Sequence, residues 1–495
     1  MKNNCIKIIS ICLLLTLIAG CAPSYIKKNH FTPVEQLSHQ IDMQIATPEL
    51  ETAFIGILVQ SIDTGEILYQ HNAKKVMMPA SNEKIPTSAA ALIKFGPDYK
   101  YETKVYANGQ IVDGVLKGDL IIVGSGDPTI GYRFCEKLDT CKIFRSWADA
   151  LQKKGISHIE GNLIGVDDIF DDELLGYGWD VSDLSYYYAA QINGLILNEN
   201  YARITIAADS NINIKTFPDY GYLDVSSNVQ VTDDKKEQTN ILVHRTLGTN
   251  NVNIKGKLKV GKSYVESVTV HNPTLYFLSG LRHELTELGV IINGKEIDSD
   301  DLPDSLQISK KQLIYTHLSP PFSKIIKVLM KESQNLYAES FVKLLGARFG
   351  KKGSFKEGAK IIKSTLVKFG LDKNSYKYRD GSGLCRYNYI SPYHIVKILK
   401  GMYLHPYGEI YRNSLPVAGV DGTIDYRMKG TCAAGKVIAK TGTISNVRCL
   451  SGYAITKDDE VLVFSIMANN FLCSVHTIMD IQDRICMLLT SFSRK

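Results

Sequence analysis

The sequence predicts an α+β fold, an antiparallel sheet flanked by helices and opened by a large β-rich insertion. Three observations carry this expectation. Strand-length apolar runs with tight turns stand near both ends of the chain, at 54–69 and 436–468; helical periodicity fills 324–399; turn pairs and alternating apolar residues fill the stretch 101–270. The 495 residues are 44% hydrophobic and 22% charged, enough for two or three cores. The formal charge of +6 is spread along the chain without a basic run, which fits a solvated mixed surface and excludes nucleic acid as the expected partner.

Lys2 and Lys7 precede an apolar run from Ile8 to Ile18, too short for a comfortable membrane span, and Ile18-Ala19-Gly20-Cys21 follows. This pattern is a lipoprotein signal peptide over 1–20, with Cys21 as the acylated first residue of the mature chain and a linker over 21–31. Acyl chains on Cys21 would anchor the protein stably to a membrane. The expected location is the periplasmic face of the cell envelope. Ala22, in place of the aspartate that marks inner-membrane retention, favours the outer membrane in a Gram-negative cell.

Thr32-Pro33-Val34-Glu35 has the form of a capping box, and Val34, Leu37, Ile41 and Ile45 share one helical face. Phe54 to Ile62 is a continuous apolar run, Asp63-Thr64-Gly65 a turn and Glu66 to Tyr69 the return, which predicts a hairpin. Pro86 fits only a first helical turn, so the helix that continues through Ser88 to Leu92 is expected to begin near Ser81. Between 101 and 270, turn pairs at Asn108-Gly109, Asp113-Gly114 and Lys117-Gly118 and the alternation of Val252, Ile254, Leu258 and Val260 indicate strands. The expected organisation is a catalytic domain made of 32–100 and 271–495, interrupted by the inserted unit 101–270. Helices are expected around Lys324 to Met330, Leu336 to Leu345, Glu357 to Phe369 and Pro392 to Leu399. Three antiparallel strands, Lys436 to Thr443, Arg448 to Thr456 and Glu460 to Ala468, then lead into a helix carrying Ile478, Ile481, Ile485 and Leu489.

Of the ten cysteines, three lie at or before Cys21. The other seven face an oxidising compartment, and Cys135 with Cys141 and Cys432 with Cys449 are the pairings that spacing suggests. The eleven histidines show no ligand spacing, so neither a metal nor a cofactor is expected.

Chemistry concentrates in three short motifs in fixed order: Ser81-Asn82-Glu83-Lys84, Ser333-Gln334-Asn335 and Lys440-Thr441-Gly442. Each is weak alone, and their order and local setting make the signal. On a helix, residues three apart share a face, so Lys84 can reach Ser81 Oγ. A serine needs a base to become a nucleophile, and a desolvated lysine can serve. The helix N-terminus aims N–H groups at developing negative charge. Ser333 to Asn335 falls on a corner between helices. Lys440, Thr441 and Thr443 stand on a strand edge able to pair with an extended peptide and meet a carboxylate.

Together with Pro79-Ala80, Gly124-Ser125-Gly126-Asp127-Pro128-Thr129, Asp380-Gly381-Ser382-Gly383-Leu384 and Leu415-Pro416-Val417-Ala418-Gly419-Val420-Asp421-Gly422-Thr423, these residues resemble the class C, low-molecular-mass penicillin-binding proteins. Those are D-alanyl-D-alanine carboxypeptidases and endopeptidases with a serine β-lactamase/transpeptidase-like catalytic domain. The resemblance implies peptidoglycan stem peptides as substrate and β-lactams as covalent inhibitors. It implies Ser81 as nucleophile, Lys84 as base, Ser333 and Lys440 as a proton relay, and Asn335 as the ligand of the acyl-side amide. Thr441, Gly442 and Thr443 form the carboxylate-binding strand, with the N–H groups of Ser81 and Thr443 as oxyanion hole. Arg386 and an insert carboxylate, Asp167 or Asp168, are the implied grip on a zwitterionic stem-peptide side chain. Gln334 stands where that family has aspartate. A β-lactamase and a non-catalytic envelope scaffold are the alternative readings, and a homodimer is left open.

Overall fold

The computed structural model describes residues 31–135, 142–209, 211–234, 236–304 and 306–495. The lipobox and Cys21 lie outside these residues. The first described helix is Pro33–Ile45, where both halves of the expected capping box form between Thr32 and Glu35.

At the centre is a five-stranded antiparallel sheet in the order Val437–Ile444, Val447–Ile455, Val461–Asn469, Phe54–Ser61, Ile67–His71. It is buried on both faces, which is why Phe54–Ser61 reads as an unbroken apolar run. Ile57 and Val59 point to the face covered by Pro33–Ile45 and the C-terminal helix Val475–Ser491, through Leu37, Ile41, Ile478, Ile481 and Ile485. Leu58 points the other way, to a larger core built from the helices Lys84–Phe95, Phe322–Glu332, Asn335–Phe349, Phe355–Leu366 and Pro392–Tyr403. Burying a side chain of this kind contributes about 1.5–3 kcal/mol.

Among the described residues the inserted unit has three sheets. A seven-stranded mixed sheet carries Glu102–Val112 and Val115–Val123, and its core packs against the helices Arg145–Lys153 and Pro273–Glu287. Asp113-Gly114 is the hairpin turn joining those two strands, with both residues at positive φ. Asn108-Gly109 and Lys117-Gly118 are not turns. They face each other inside the ladder, Gly109 opposite Gly118, and a Cβ on Gly118 would lie 2.0 Å from the Asn108 carbonyl oxygen. These glycines permit a close backbone approach. Two three-stranded sheets, formed from 201–269, enclose a small core of Ile204, Ile206, Val252, Ile254 and Leu258. Val260, expected in that alternation, lies past the strand end and is exposed.

The seven-stranded sheet continues past residue 270. Its edge strand is Gln312–Leu318, paired with Glu102–Val112, and Ile291–Ile292 and Glu296–Asp298 also belong to it. The chain re-enters the helical core at Phe322, about fifty residues past the expected boundary at 271, because Pro273–Glu287 buries Phe277, Leu281 and Leu285 against the insertion and not against the catalytic half.

Cys135 is disulfide-bonded; the expected partner Cys141 lies outside the described residues. Cys432 and Cys449 are not joined. Cys449 is buried with its Sγ toward the Met78 carbonyl, in the core on the large-helix side, whereas Cys432 sits exposed against Thr490 and Ser491 at the C-terminal helix. The sheet separates them. Among the described residues no helix is long and apolar enough to cross a membrane.

Candidate active site

Ser81 lies on a 3-10 turn, Ala80–Glu83, that runs directly into the α-helix Lys84–Phe95. Pro86 occupies the first turn of that helix, so the helix itself begins three residues after the serine. Ala80 holds φ at 46°, a strained conformation for a non-glycine residue that turns the chain so that Ser81 faces the cleft.

Lys84 Nζ is fully buried with three neighbours: Ser81 Oγ at 3.0 Å, Asn335 Oδ1 at 2.6 Å and the Ser382 carbonyl at 2.8 Å. Burial disfavours its charged form and brings its pKa down to about 7, opposed in part by Glu339 and Asp380. Ser333 caps the helix Phe322–Glu332 in the left-handed conformation, with φ 62°. That turn aims its hydroxyl at Lys440, whose Nζ lies 2.8 Å from Ser333 Oγ. Lys440 is also fully buried, and its pKa is held well below the usual lysine range by burial first and then by Lys84 and Arg448.

Asn335, the first residue of the helix Asn335–Phe349, donates to the Tyr188 carbonyl at 2.7 Å and so ties the insertion to the site. Gln334 between them is explained by its neighbour. Its side-chain amide donates to the buried Glu199 carboxylate at 2.7 Å, and Glu199 in turn receives the Arg133 guanidinium. An aspartate at 334 would set two carboxylates against each other.

The strand Val437–Ile444 forms the sheet edge beside Ser81. The Thr441 hydroxyl meets Thr423 Oγ1 at 2.8 Å, and Thr443 Oγ1 accepts from the Arg448 guanidinium. Gly442 packs flush on the nucleophile's turn, since an added Cβ would lie 2.6 Å from the Pro79 carbonyl oxygen and 3.1 Å from Ser81 N.

A cleft of about 1160 Å³ opens over these groups, lined by Ser81, Ser333, Asn335, Thr441, Thr443 and Arg386 among others. Arg386 is exposed and donates to the Ser445 carbonyl at 3.1 Å. Neither insert carboxylate expected from the sequence lines this cleft. Asp167 is turned inward, accepting from Thr274 Oγ1 at 2.6 Å and Asn193 Nδ2 at 3.3 Å, and Asp168 is exposed away from it. The insert carboxylates at the cleft are Asp180 and Asp183. Asp180 accepts from the Ser182 hydroxyl and backbone N–H, which keep its carboxyl below the usual range, and Arg386 contributes. Their neighbour Trp179, one of two tryptophans in the chain, was the available signal for this wall.

Two lysine–serine contacts at one cleft, at the edge of an antiparallel sheet backed by helices, define a serine acyl-transfer enzyme of the penicillin-binding class. The chain belongs to the D-Ala-D-Ala carboxypeptidase 3 (S13) family, which matches residues 37–492. It is 31% identical to the D-alanyl-D-alanine carboxypeptidase of an Actinomadura species, over 98% of this chain and 90% of that one. Among solved structures it is similar to penicillin binding protein 4 (dacB) from Haemophilus influenzae, with TM-score 0.77 and 26% identity over 91% of this chain and 98% of that one. A complex of that protein with a β-lactam aligns with TM-score 0.72 and 25% identity, over 93% and 100% of the two chains.

Proposed function

We propose that this chain hydrolyses the amide bond on the carbonyl side of the penultimate D-alanine of peptidoglycan stem peptides, as a carboxypeptidase, an endopeptidase or both, through an acyl-enzyme on Ser81 that β-lactams trap. The observation that carries the reading is the buried Lys84 Nζ 3.0 Å from Ser81 Oγ, with a pKa brought down to about 7. At neutral pH a large share of Lys84 is then uncharged and able to accept the serine proton.

Ser81 Oγ attacks the carbonyl of the penultimate D-alanine while Lys84 takes its proton. The backbone N–H groups of Ser81 and Thr443 hold the oxyanion. The relay of Lys440 and Ser333, 2.8 Å apart, delivers a proton to the leaving amine. Asn335 binds the acyl-side amide, and Thr441 and Thr443 receive the terminal carboxylate. Water then releases the shortened peptide. With a β-lactam the leaving group stays tethered and the ester persists.

The test is incubation with labelled penicillin and, separately, with muropeptide monomers and cross-linked dimers read by mass spectrometry. One adduct on the peptide containing Ser81, absent in Ser81→Ala, and loss of terminal D-alanine are the expected results. Label that survives Ser81→Ala overturns the assignment. Rapid loss of the penicilloyl group would favour a β-lactamase instead.

Arg386, with Asp180 or Asp183 facing it across the cleft, suits a side chain bearing both an amine and a carboxylate. Arg386→Ala should therefore lower turnover of muropeptides about tenfold more than it lowers acylation by penicillin, which lacks that side chain. Equal losses in both assays would make Arg386 part of the framework.

We also propose export to the periplasmic face with Cys21 acylated, on the sequence Ile18-Ala19-Gly20-Cys21. Cys21→Ser should abolish labelling by a fatty-acid probe and shift the protein from the membrane fraction. Unchanged labelling would remove this reading.

A further inference from the structure

The general base has a support that none of the three motifs contains. Lys84 must be a neutral amine to accept the Ser81 proton, and a neutral amine has two N–H donors and one lone pair arranged tetrahedrally. Two of the three neighbours of Nζ, Asn335 Oδ1 and the Ser382 carbonyl, can only accept. Once they take both N–H groups, the lone pair is left for the third neighbour, Ser81 Oγ. The direction of the Ser382 carbonyl therefore decides whether the lone pair points at the nucleophile.

That carbonyl belongs to the loop Asp380-Gly381-Ser382-Gly383, and a buried carboxylate one helical turn beyond Asn335 holds the loop. Glu339 accepts from Gly381 N at 2.8 Å through one oxygen and from Ser382 N at 2.7 Å through the other. Asp380 fixes the next peptide by accepting from Gly383 N at 2.9 Å, on the side opposite the Ser382 carbonyl. Residues 335 and 339 share a face of the helix Asn335–Phe349. One face thus supplies an acceptor to Lys84 directly and, by clamping the two peptides that lead into it, supports the Ser382–Gly383 peptide whose carbonyl is the second. Glu339 is wholly buried; burial and then the nearby Asp380 push its carboxyl up to about 8, and the bonds from Ser382 and Gly381 oppose that rise.

We propose that Glu339 is a positioning residue for catalysis, orienting the Ser382 carbonyl so that the lone pair of Lys84 faces Ser81 Oγ. Glutamine at 339 is nearly isosteric but replaces one acceptor with an NH2 group that confronts a backbone N–H. The loop must then tilt, and the base turns with it.

This inference rests on Lys84 being the base, and a double-mutant cycle separates the two claims. The second-order rate of penicilloylation of Glu339→Gln should fall about 10²-fold, as a misplacement of about 1 Å can cause. In a Lys84→Arg background, which has no lone pair to aim, the same change should cost less than about threefold. Thermal unfolding and the fraction of chains finally acylated are followed in parallel. If Glu339→Gln costs the same factor in both backgrounds, or acylates within about threefold of wild type, the proposal is overturned. If Lys84→Arg itself acylates normally, it is the assignment of the base that fails. Should Glu339→Gln not fold, Glu339→Asp keeps the carboxyl group and shortens the reach by one methylene. Wild-type acylation by that variant would equally overturn the proposal.

Discussion

Lys84→Arg should acylate with penicillin about 10⁴-fold more slowly than wild type, at the upper end of what a positioned base contributes. Arginine carries a permanent positive charge and does not deprotonate in a protein, so the variant keeps a cation at the site while removing the base. Thermal unfolding should be followed alongside, because a guanidinium must fit where Nζ is enclosed by Asn335, Ser382 and Ser81. A variant that folds and acylates within about tenfold of wild type would reduce Lys84 to an electrostatic support. The same residue dictates pH dependence. Its pKa in the folded chain is lowered from the usual lysine value to about 7. Acylation needs the neutral form, so the rate should be full above that value and fall tenfold per pH unit below it. A rate that stays flat through the acid range would contradict a lysine base.

Gly442→Ala should be almost as damaging by a different route. The added Cβ would stand 2.6 Å from the Pro79 carbonyl oxygen and 3.1 Å from Ser81 N. Both are rigid backbone atoms, so the strand must move outward. The N–H groups of Thr443 and Ser81 that we assign to the oxyanion then separate, and a shift of about 1 Å is expected to cost at least 10²-fold in acylation. The central sheet need not unfold, since Val437–Ile444 is its edge strand. A rate near that of wild type would mean that the oxyanion is held elsewhere.

Most of the catalytic half was legible because its signals are local. The capping box at Thr32, the hairpin after Phe54, the three C-terminal strands and the corner at Ser333 all lie within a residue or two of where pattern places them. The nucleophile helix differs in detail: it starts at Lys84, and the serine rides on a preceding 3-10 turn. What was not legible depends on long-range packing. Whether Pro273–Glu287 covers one core or another cannot be told from its own periodicity, and the extent of the insertion was accordingly underestimated. Asp167 and Asp168 are the insert acids that the resemblance implies, but among the described residues it is Asp180 and Asp183 that the segment around Trp179 carries to the cleft. Cys432 and Cys449 bracket one strand in sequence while the sheet keeps their sulfurs on opposite faces. Glu339 was invisible for a related reason, as its partners are backbone N–H groups more than forty residues away.

The order of strands in the central sheet has a consequence for the newly made chain. Phe54–Ser61 pairs with Val461–Asn469, and the strand carrying Lys440 docks beyond it only through Val447–Ile455. The serine and its base are therefore synthesised first, and the edge that completes their cleft comes in the last sixty residues. Contacts of such separation form late. A chain still emerging, or cut short before residue 437, holds Ser81 and Lys84 without a partner strand and should have no acylating power. Acylating activity is thereby withheld until the strand Val437–Ile444 has been made and has docked on the sheet.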